Sequence, residues 1–224
     1  MIIETASNCY DIAFNVVQIE ITRRCNMACL HCRGQHSRQI LNNCPDMPYG
    51  TITKIIDFAR EHSEDGVLEV VLSGGEPFLH PELLKILDYC HDAGVYKEIT
   101  TNGSLIDDRT VDVLKKYQIN NISISIDSAS PDRHDQIRNC PGAFAKAAES
   151  IRKLTASGIK TRIRSTITKS NFHEMEALSE LAAGFGLDSL AFGAAIPVGN
   201  AANRLDDLFT SKNEMKMFIE TFFI

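Results

Sequence analysis

Along this 224-residue chain, short runs rich in β-branched residues alternate six times with segments whose apolar residues recur at helical spacing. Parallel strands cannot be joined by tight turns and need a long crossover, usually a helix, so this alternation predicts a parallel sheet with crossover helices. Strands are expected at 16–22, 67–72, 96–101, 119–126, 159–167 and 187–196. Helices are expected at 51–62, 81–93, 107–117, 142–157 and 171–184, with a last helical stretch around 212–223. Ile52, Ile55, Ile56 and Ala59 share one face of the first helix; Pro81 opens the second and Gly94 follows its end, while Gly158 closes the fourth. Six units are too few for a closed eight-stranded barrel. The expected fold is α/β, a partial (β/α)6 TIM-like barrel of parallel strands with its site at their carboxyl ends. Residues 1–15 read as an N-terminal extension, 16–200 as the core domain and 201–224 as the start of a C-terminal extension, expected to be truncated.

Composition narrows the function. Hydrophobic residues make up 44% of the chain, enough for a sizeable core. A net charge of −6 with scattered Lys and Arg gives no basic footprint, so nucleic acid is not an expected partner. The first fourteen residues hold Glu4 and Asp11 but no Lys or Arg, unlike a secretory signal, and no stretch is apolar enough to span a membrane. Seven cysteines is an odd number, and three fall within eight residues, which favours metal binding in a reducing, cytoplasmic compartment over a disulfide framework.

Those three form Cys25-Asn26-Met27-Ala28-Cys29-Leu30-His31-Cys32, directly after the first strand. Thiolates at spacings of four and three residues can curl round one cubic iron-sulfur cluster and leave one iron without a protein ligand. The alternative is a structural zinc site, which needs a fourth ligand from His31, His36 or Cys44. Strand ends downstream carry further candidates: Ser73-Gly74-Gly75-Glu76-Pro77, Thr101-Asn102-Gly103 and Ser125-Ile126-Asp127. His134-Asp135-Gln136-Ile137-Arg138 follows, with a helix-surface salt bridge as the plain reading of Arg138. On the fifth strand Arg162 and Arg164 share one face, and Arg164 is the better inward candidate. Of the isolated cysteines, Cys90 reads as a small buried residue on a helix face. Cys9, Cys44 and Cys140 have no Cys pair to support an auxiliary cluster.

The cysteine motif resembles that of the radical S-adenosylmethionine (SAM) superfamily, with His31 where the family carries an aromatic or His residue before the third cysteine. The resemblance implies Cys25, Cys29 and Cys32 as catalytic metal ligands. It makes Ser73, Gly74, Gly75, Glu76 and Pro77 the Gly-Gly-Glu-Pro turn that hydrogen-bonds the SAM amino group, with Glu76 adding negative charge near the ammonium. Thr101 and Asn102 resemble the family's Thr-Asn-Gly step. Ser125 and Asp127 resemble the Ser-x-Asp pair of the branch with extended C-termini, Arg138 becomes a partner for the SAM carboxylate, and Arg164 joins the cofactor site. Pro197-Val198-Gly199-Asn200-Ala201 is similar to that branch's Pro-x-Gly-x-Ala/Gly step, with Asn200 where many members carry Arg.

This SPASM or twitch branch includes maturases of ribosomal peptides, sulfatase-maturing enzymes, an enzyme of pyrroloquinoline quinone synthesis and haem-biosynthesis relatives. The implied cofactors are a [4Fe-4S] cluster and SAM. The implied chemistry is reductive cleavage of SAM followed by hydrogen abstraction from an unactivated carbon, which no acid or base side chain could achieve. A peptide or small-molecule substrate and a flavodoxin- or ferredoxin-type electron donor follow as expected partners. Peptide modification is the leading expectation, cofactor or haem-type biosynthesis the alternative within the enzyme class, and a zinc-binding structural module the non-enzymatic one.

Overall fold

The computed structural model describes residues 2–4, 9–11, 13–34, 45–208, 211 and 216. A short antiparallel pair, β1 (Ile2–Glu4) and β2 (Cys9–Asp11), precedes the main sheet. That sheet has six parallel strands: β3 (Val16–Thr22), β4 (Glu69–Gly74), β5 (Tyr96–Thr101), β6 (Asn121–Ser125), β7 (Thr161–Ile167) and β8 (Leu190–Ala194). Between and after them lie α1 (Tyr49–Glu61), α2 (Leu83–Asp92), α3 (Asp108–Lys116), α4 (Pro131–Arg138), α5 (Ala143–Ala156), α6 (Met175–Gly184) and α7 (Leu205–Leu208).

Strand order in the sheet equals chain order. Each crossover therefore steps in the same direction, and since such crossovers are right-handed, their helices fall on one face. The twisted sheet curls away from them, and its other face becomes the inner wall of a partial barrel. Side chains divide accordingly. Ile19, Ile21, Val70, Leu72, Ile99, Ile122, Ile124 and Ile163 point outward into one core with Ile52 and Ile56 of α1, Ile86 and Leu87 of α2, Leu114 of α3, Ile151 of α5 and Leu178 of α6.

Most alternate positions are polar, and several pair with one another across strands. Gln18 Nε2 donates to Ser73 Oγ at 3.0 Å. Glu98 accepts from Asn121 Nδ2 at 2.8 Å, Ser123 Oγ at 2.8 Å and Arg162 Nη2 at 2.6 Å. Burial would raise the Glu98 carboxyl, but these bonds together with the Arg162 charge hold it below its ordinary value.

Most element bounds match the sequence within two or three residues, and three differences have clear causes. β4 runs on to Gly74 because its ladder with β3 pairs Glu20 with Ser73 and Thr22 with Gly74, which carries the strand into the Gly-Gly turn. α4 was not expected as an element. It starts at Pro131 and buries His134, Ile137 and Arg138, so two of its three buried residues are polar and the apolar period is missing. The helix expected at 171–184 begins as a tighter turn over Phe172–Glu174, with α6 proper from Met175. The stretch 212–223, His36, Cys44 and the Cys9 side chain lie outside the described residues. No helix among the described residues is long and apolar enough to cross a membrane.

The inward-outward alternation makes a direct prediction on β7. Ile163 is fully buried in the outer core, whereas the guanidinium of its neighbour Arg164 has no hydrogen bond or ion pair among the described residues. Urea unfolding of Ile163→Ala is expected to show a loss of about 2–5 kcal/mol, and of Arg164→Ala a change within about 0.5 kcal/mol.

Candidate functional site

The loop that carries the three cysteines is tied down at both ends by backbone contacts. At its start, Gly75 N–H donates to the Thr22 carbonyl and Glu76 N–H to the Arg24 carbonyl, both at 2.8 Å. A Cβ on Gly74 would stand 2.2 Å from Thr22 O, and one on Gly75 2.1 Å from Arg24 O. The space is therefore filled by the chain itself. These glycines allow the exits of β3 and β4 to touch, and both also line the cavity at the strand ends. In the middle of the loop, Leu30 N–H reaches the Ile137 carbonyl at 2.9 Å. At its far end, Asn200 N–H donates to Cys32 O at 3.0 Å, and Asn200 Nδ2 to Cys29 O at 3.2 Å. Gly199, at φ +63°, would place a Cβ 2.0 Å from Arg33 O.

Held this way, Cys25, Cys29 and Cys32 line one cavity of about 300 Å³ at the carboxyl ends of the strands. The same wall brings together His31, Ser73, Gly74, Gly75, Thr101, Asn102, Ser125, Arg138 and Arg164, all named from the sequence. Cys25 and Cys29 are buried with Met27 and Ala143, and Cys32 and Cys140 pack against them. Burial pushes the Cys25 thiol up to about 12 and the Cys32 thiol up to about 11, with the neighbouring sulfurs adding to both; burial also raises Cys29.

Three desolvated thiols this close ionise only against a strong local positive charge, which a bound metal centre supplies. Among the described residues no three Cys, His, Asp or Glu side chains converge on a position for a single ion. Three cysteine thiols on one wall suit a cluster that takes three protein ligands. Buried polar atoms on the wall also await partners: Thr100 Oγ1 and His31 Nδ1 have none.

Three of the sequence candidates stand behind this wall. Glu76 is fully buried: it accepts from Thr101 Oγ1 at 2.7 Å, Asn102 N at 2.9 Å and Phe78 N at 3.3 Å. Burial raises its carboxyl to about 7 against the pull of those bonds. These bonds make Glu76 a brace for the 101–102 turn. Asn102 in turn directs its Nδ2 at Cys25 Sγ, 4.0 Å away, and at Asn26 Oδ1 at 2.9 Å. Pro77 is buried and opens a tight turn over Pro77–Leu79.

Asp127 is fully buried; it accepts from Thr166 N–H at 2.8 Å and lies 2.8 Å from Arg138 Nε and 3.6 Å from His31 Nε2. Arg138 is not a surface salt bridge but a buried cation whose Nη1 donates to Cys29 Sγ at 3.7 Å. Period-two reading of β3 could have found Gln18 on the cavity wall. Nothing chemical in the small side chains of Gly193, Ala194 and Ala195 marked them for the opposite wall.

Two predictions follow from this packing. Gly75→Ala and Gly199→Ala are each expected to cost about 2 kcal/mol or more in denaturant unfolding, while Gly184→Ala, helical with open space around it, stays neutral or gains about 0.4–1 kcal/mol. His134 is buried and its Nδ1 accepts the Asp127 N–H at 3.1 Å; burial, with Arg138 nearby, pushes it down to about 4. The unfolded chain then binds the extra proton between about pH 6.5 and 4, so this group's stabilisation is present above 6.5 and fades as pH falls. Relative to His134→Gln, the wild type is expected to lose its advantage by the order of 1 kcal/mol per pH unit across that range in unfolding titrations.

Comparison with known proteins places this site in context. Residues 19–182 match the family model of the Radical SAM superfamily. An AdoMet-dependent heme synthase of Methanosarcina barkeri is 32% identical over 182 residues, covering 80% of this chain and 50% of that protein. The antilisterial bacteriocin subtilosin biosynthesis protein AlbA of Bacillus subtilis is 29% identical over 174 residues, covering 77% and 38%. The chain spans half or less of these curated relatives. Among solved structures, Streptococcus suis SuiB bound to S-adenosylmethionine superposes with a TM-score of 0.74 at 16% identity, over 93% of this chain and 47% of that one. The same protein bound to its precursor peptide SuiA gives 0.73.

Proposed function

Because this chain belongs to the radical SAM superfamily, we propose that residues 16–200 form the catalytic core of an enzyme whose cluster is held by Cys25, Cys29 and Cys32. The observation that carries this reading is the placement of all three thiols on one cavity wall, beside the Gly-Gly turn and Asn102. When bound, a [4Fe-4S] cluster together with SAM would supply reductive cleavage of SAM and hydrogen abstraction from carbon.

The chain's own residues supply position and exclusion. The backbone ties at Gly75, Asn200 and Leu30 fix the cysteine loop, and Met27 with Ala143 keeps water from the inner two sulfurs. Ser125 and Arg164 face the cavity from β6 and β7. Arg164, unpaired among the described residues, is suited to a carboxylate of SAM or of the substrate. An electron donor of flavodoxin or ferredoxin type and a reducing, cytoplasmic setting accord with a cluster of this kind.

For the substrate we favour a peptide. Among the described residues no strand pairs with the outer edge of β8, and its Gly193 and Ala194 line the cavity, so an extended backbone has both hydrogen-bonding groups and room there. SuiB, similar in fold, is a protein that binds a precursor peptide. A tetrapyrrole substrate is the second reading. It is favoured by the 32% identity to a haem synthase and by the free Arg164, which suits a propionate.

Anaerobic reconstitution with iron and sulfide, then dithionite reduction, is expected to give a [4Fe-4S] electron paramagnetic resonance signal that SAM perturbs and 5'-deoxyadenosine as product. Cys29→Ala is expected to abolish both. A colourless protein that binds zinc stoichiometrically and releases no 5'-deoxyadenosine would end this reading. Substrate-dependent stimulation of 5'-deoxyadenosine release by a candidate peptide or by a tetrapyrrole separates the two substrate classes.

A further inference from the structure

The three cysteine sulfurs do not share one environment. Cys25 faces a neutral amide, Asn102 Nδ2 at 4.0 Å. Cys32 sits half-buried at the rim and takes a backbone N–H from Gly34. Cys29 is the one of the three that, among the described residues, takes a direct hydrogen bond from a full positive charge, the Nη1 of Arg138 at 3.7 Å. That guanidinium is 7% exposed, and Asp127, at 0% exposure, forms an ion pair with its other side, Oδ2 lying 2.8 Å from Nε. Asp127 is itself fixed by Thr166 N–H, and its own N–H is held by His134, so the cation has little freedom to turn away from the sulfur.

We infer that Arg138, oriented by Asp127, is a positioning residue that raises the reduction potential of the cluster by placing a fixed positive charge against the Cys29 sulfur. An arginine stays protonated at any working pH, so the charge is permanent. Adding an electron makes the cluster one unit more negative, and a buried cation beside a ligand sulfur stabilises that state over the oxidised one. Asp127 acts twice, with opposite electrostatic sign: it orients Arg138 and partly cancels its field. Removing the cation therefore lowers the potential, and removing the anion while keeping its shape raises it. A pair that only supported the fold would move the potential in the same direction, or not at all, when either member was lost.

This inference rests on the cluster assignment above, and the experiment separates the two. Wild type, Arg138→Gln and Asp127→Asn are reconstituted anaerobically, checked for iron content and circular dichroism, and titrated electrochemically without SAM, following the reduced cluster by electron paramagnetic resonance. Wild type without a cluster ends the assignment itself. With the cluster present, Arg138→Gln is expected to shift the reduction equilibrium about tenfold toward the oxidised form, which is 59 mV for one electron, and Asp127→Asn to shift it the other way. Arg138→Lys, which keeps the charge, is expected to recover most of the loss. Potentials unchanged in both variants, or lowered in both, overturn the inference. If Arg138→Gln does not assemble, Asp127→Asn decides alone: a raised potential supports the inference, and an unchanged or lowered one overturns it.

Discussion

The functional end of this molecule depends on a few backbone hydrogen bonds between chain segments far apart in sequence. Thr22 and Arg24 offer carbonyls to the amides of Gly75 and Glu76, and Cys32 offers one to the amide of Asn200. A loop with three cysteines and little regular structure would otherwise sample many arrangements, and ordering each of its residues costs about 1–2 kcal/mol. Tying it to the exits of β3, β4 and β8 transfers the rigidity of the sheet to the thiols. The close approach these bonds require leaves no space for a Cβ at Gly74, Gly75 or Gly199, so the glycines are a condition of the site, and Gly74 and Gly75 also line its cavity.

The sheet makes this possible because its two faces do different work. Outward isoleucines, leucines and valines seal against the helices and supply most of the apolar burial. Most inward residues are polar, and the ladder from Gln18 to Ser73 and from Glu98 to Ser123 and Arg162 pairs several of them directly. Moving up β7, Arg162 is locked to Glu98 while Arg164, two residues nearer the mouth, has no partner among the described residues. The inner face thus passes from a closed electrostatic pair to an open charge along one strand, which is where a ligand with a carboxylate gains most.

Periodicity in the sequence was enough to read the fold because six strands with outward β-branched residues and their crossover helices obey simple spacing rules. The cysteine spacing likewise pointed to the site, position at strand ends picked out Ser73, Thr101 and Ser125, and the alternation along β7 picked out Arg164. What could not be read were roles that depend on which way a side chain turns. Glu76 and Asp127 lie on the expected turns, yet their carboxylates point back into the protein and brace Asn102 and Arg138. α4 escaped because its buried face is built from His134 and Arg138 with Ile137, and a polar face has no hydrophobic signature.

That polar face explains why so much charge is buried next to the thiols. A buried ion pair seldom stabilises a fold more than well-packed apolar residues of equal volume would, since removing both charges from water costs several kcal/mol each. Asp127 and Arg138 would be a poor choice if holding α4 to β6 were their only task, and Leu30 N–H already bonds the Ile137 carbonyl of the same helix. Their placement is accounted for by the sulfur. A cation aimed at Cys29 needs an anion to orient it and to make its burial tolerable, and Asp127, just past the end of β6, reaches both Arg138 and the Thr166 amide. The energetic cost of the pair is thus set against an electrostatic field at one sulfur that an apolar helix face could not provide.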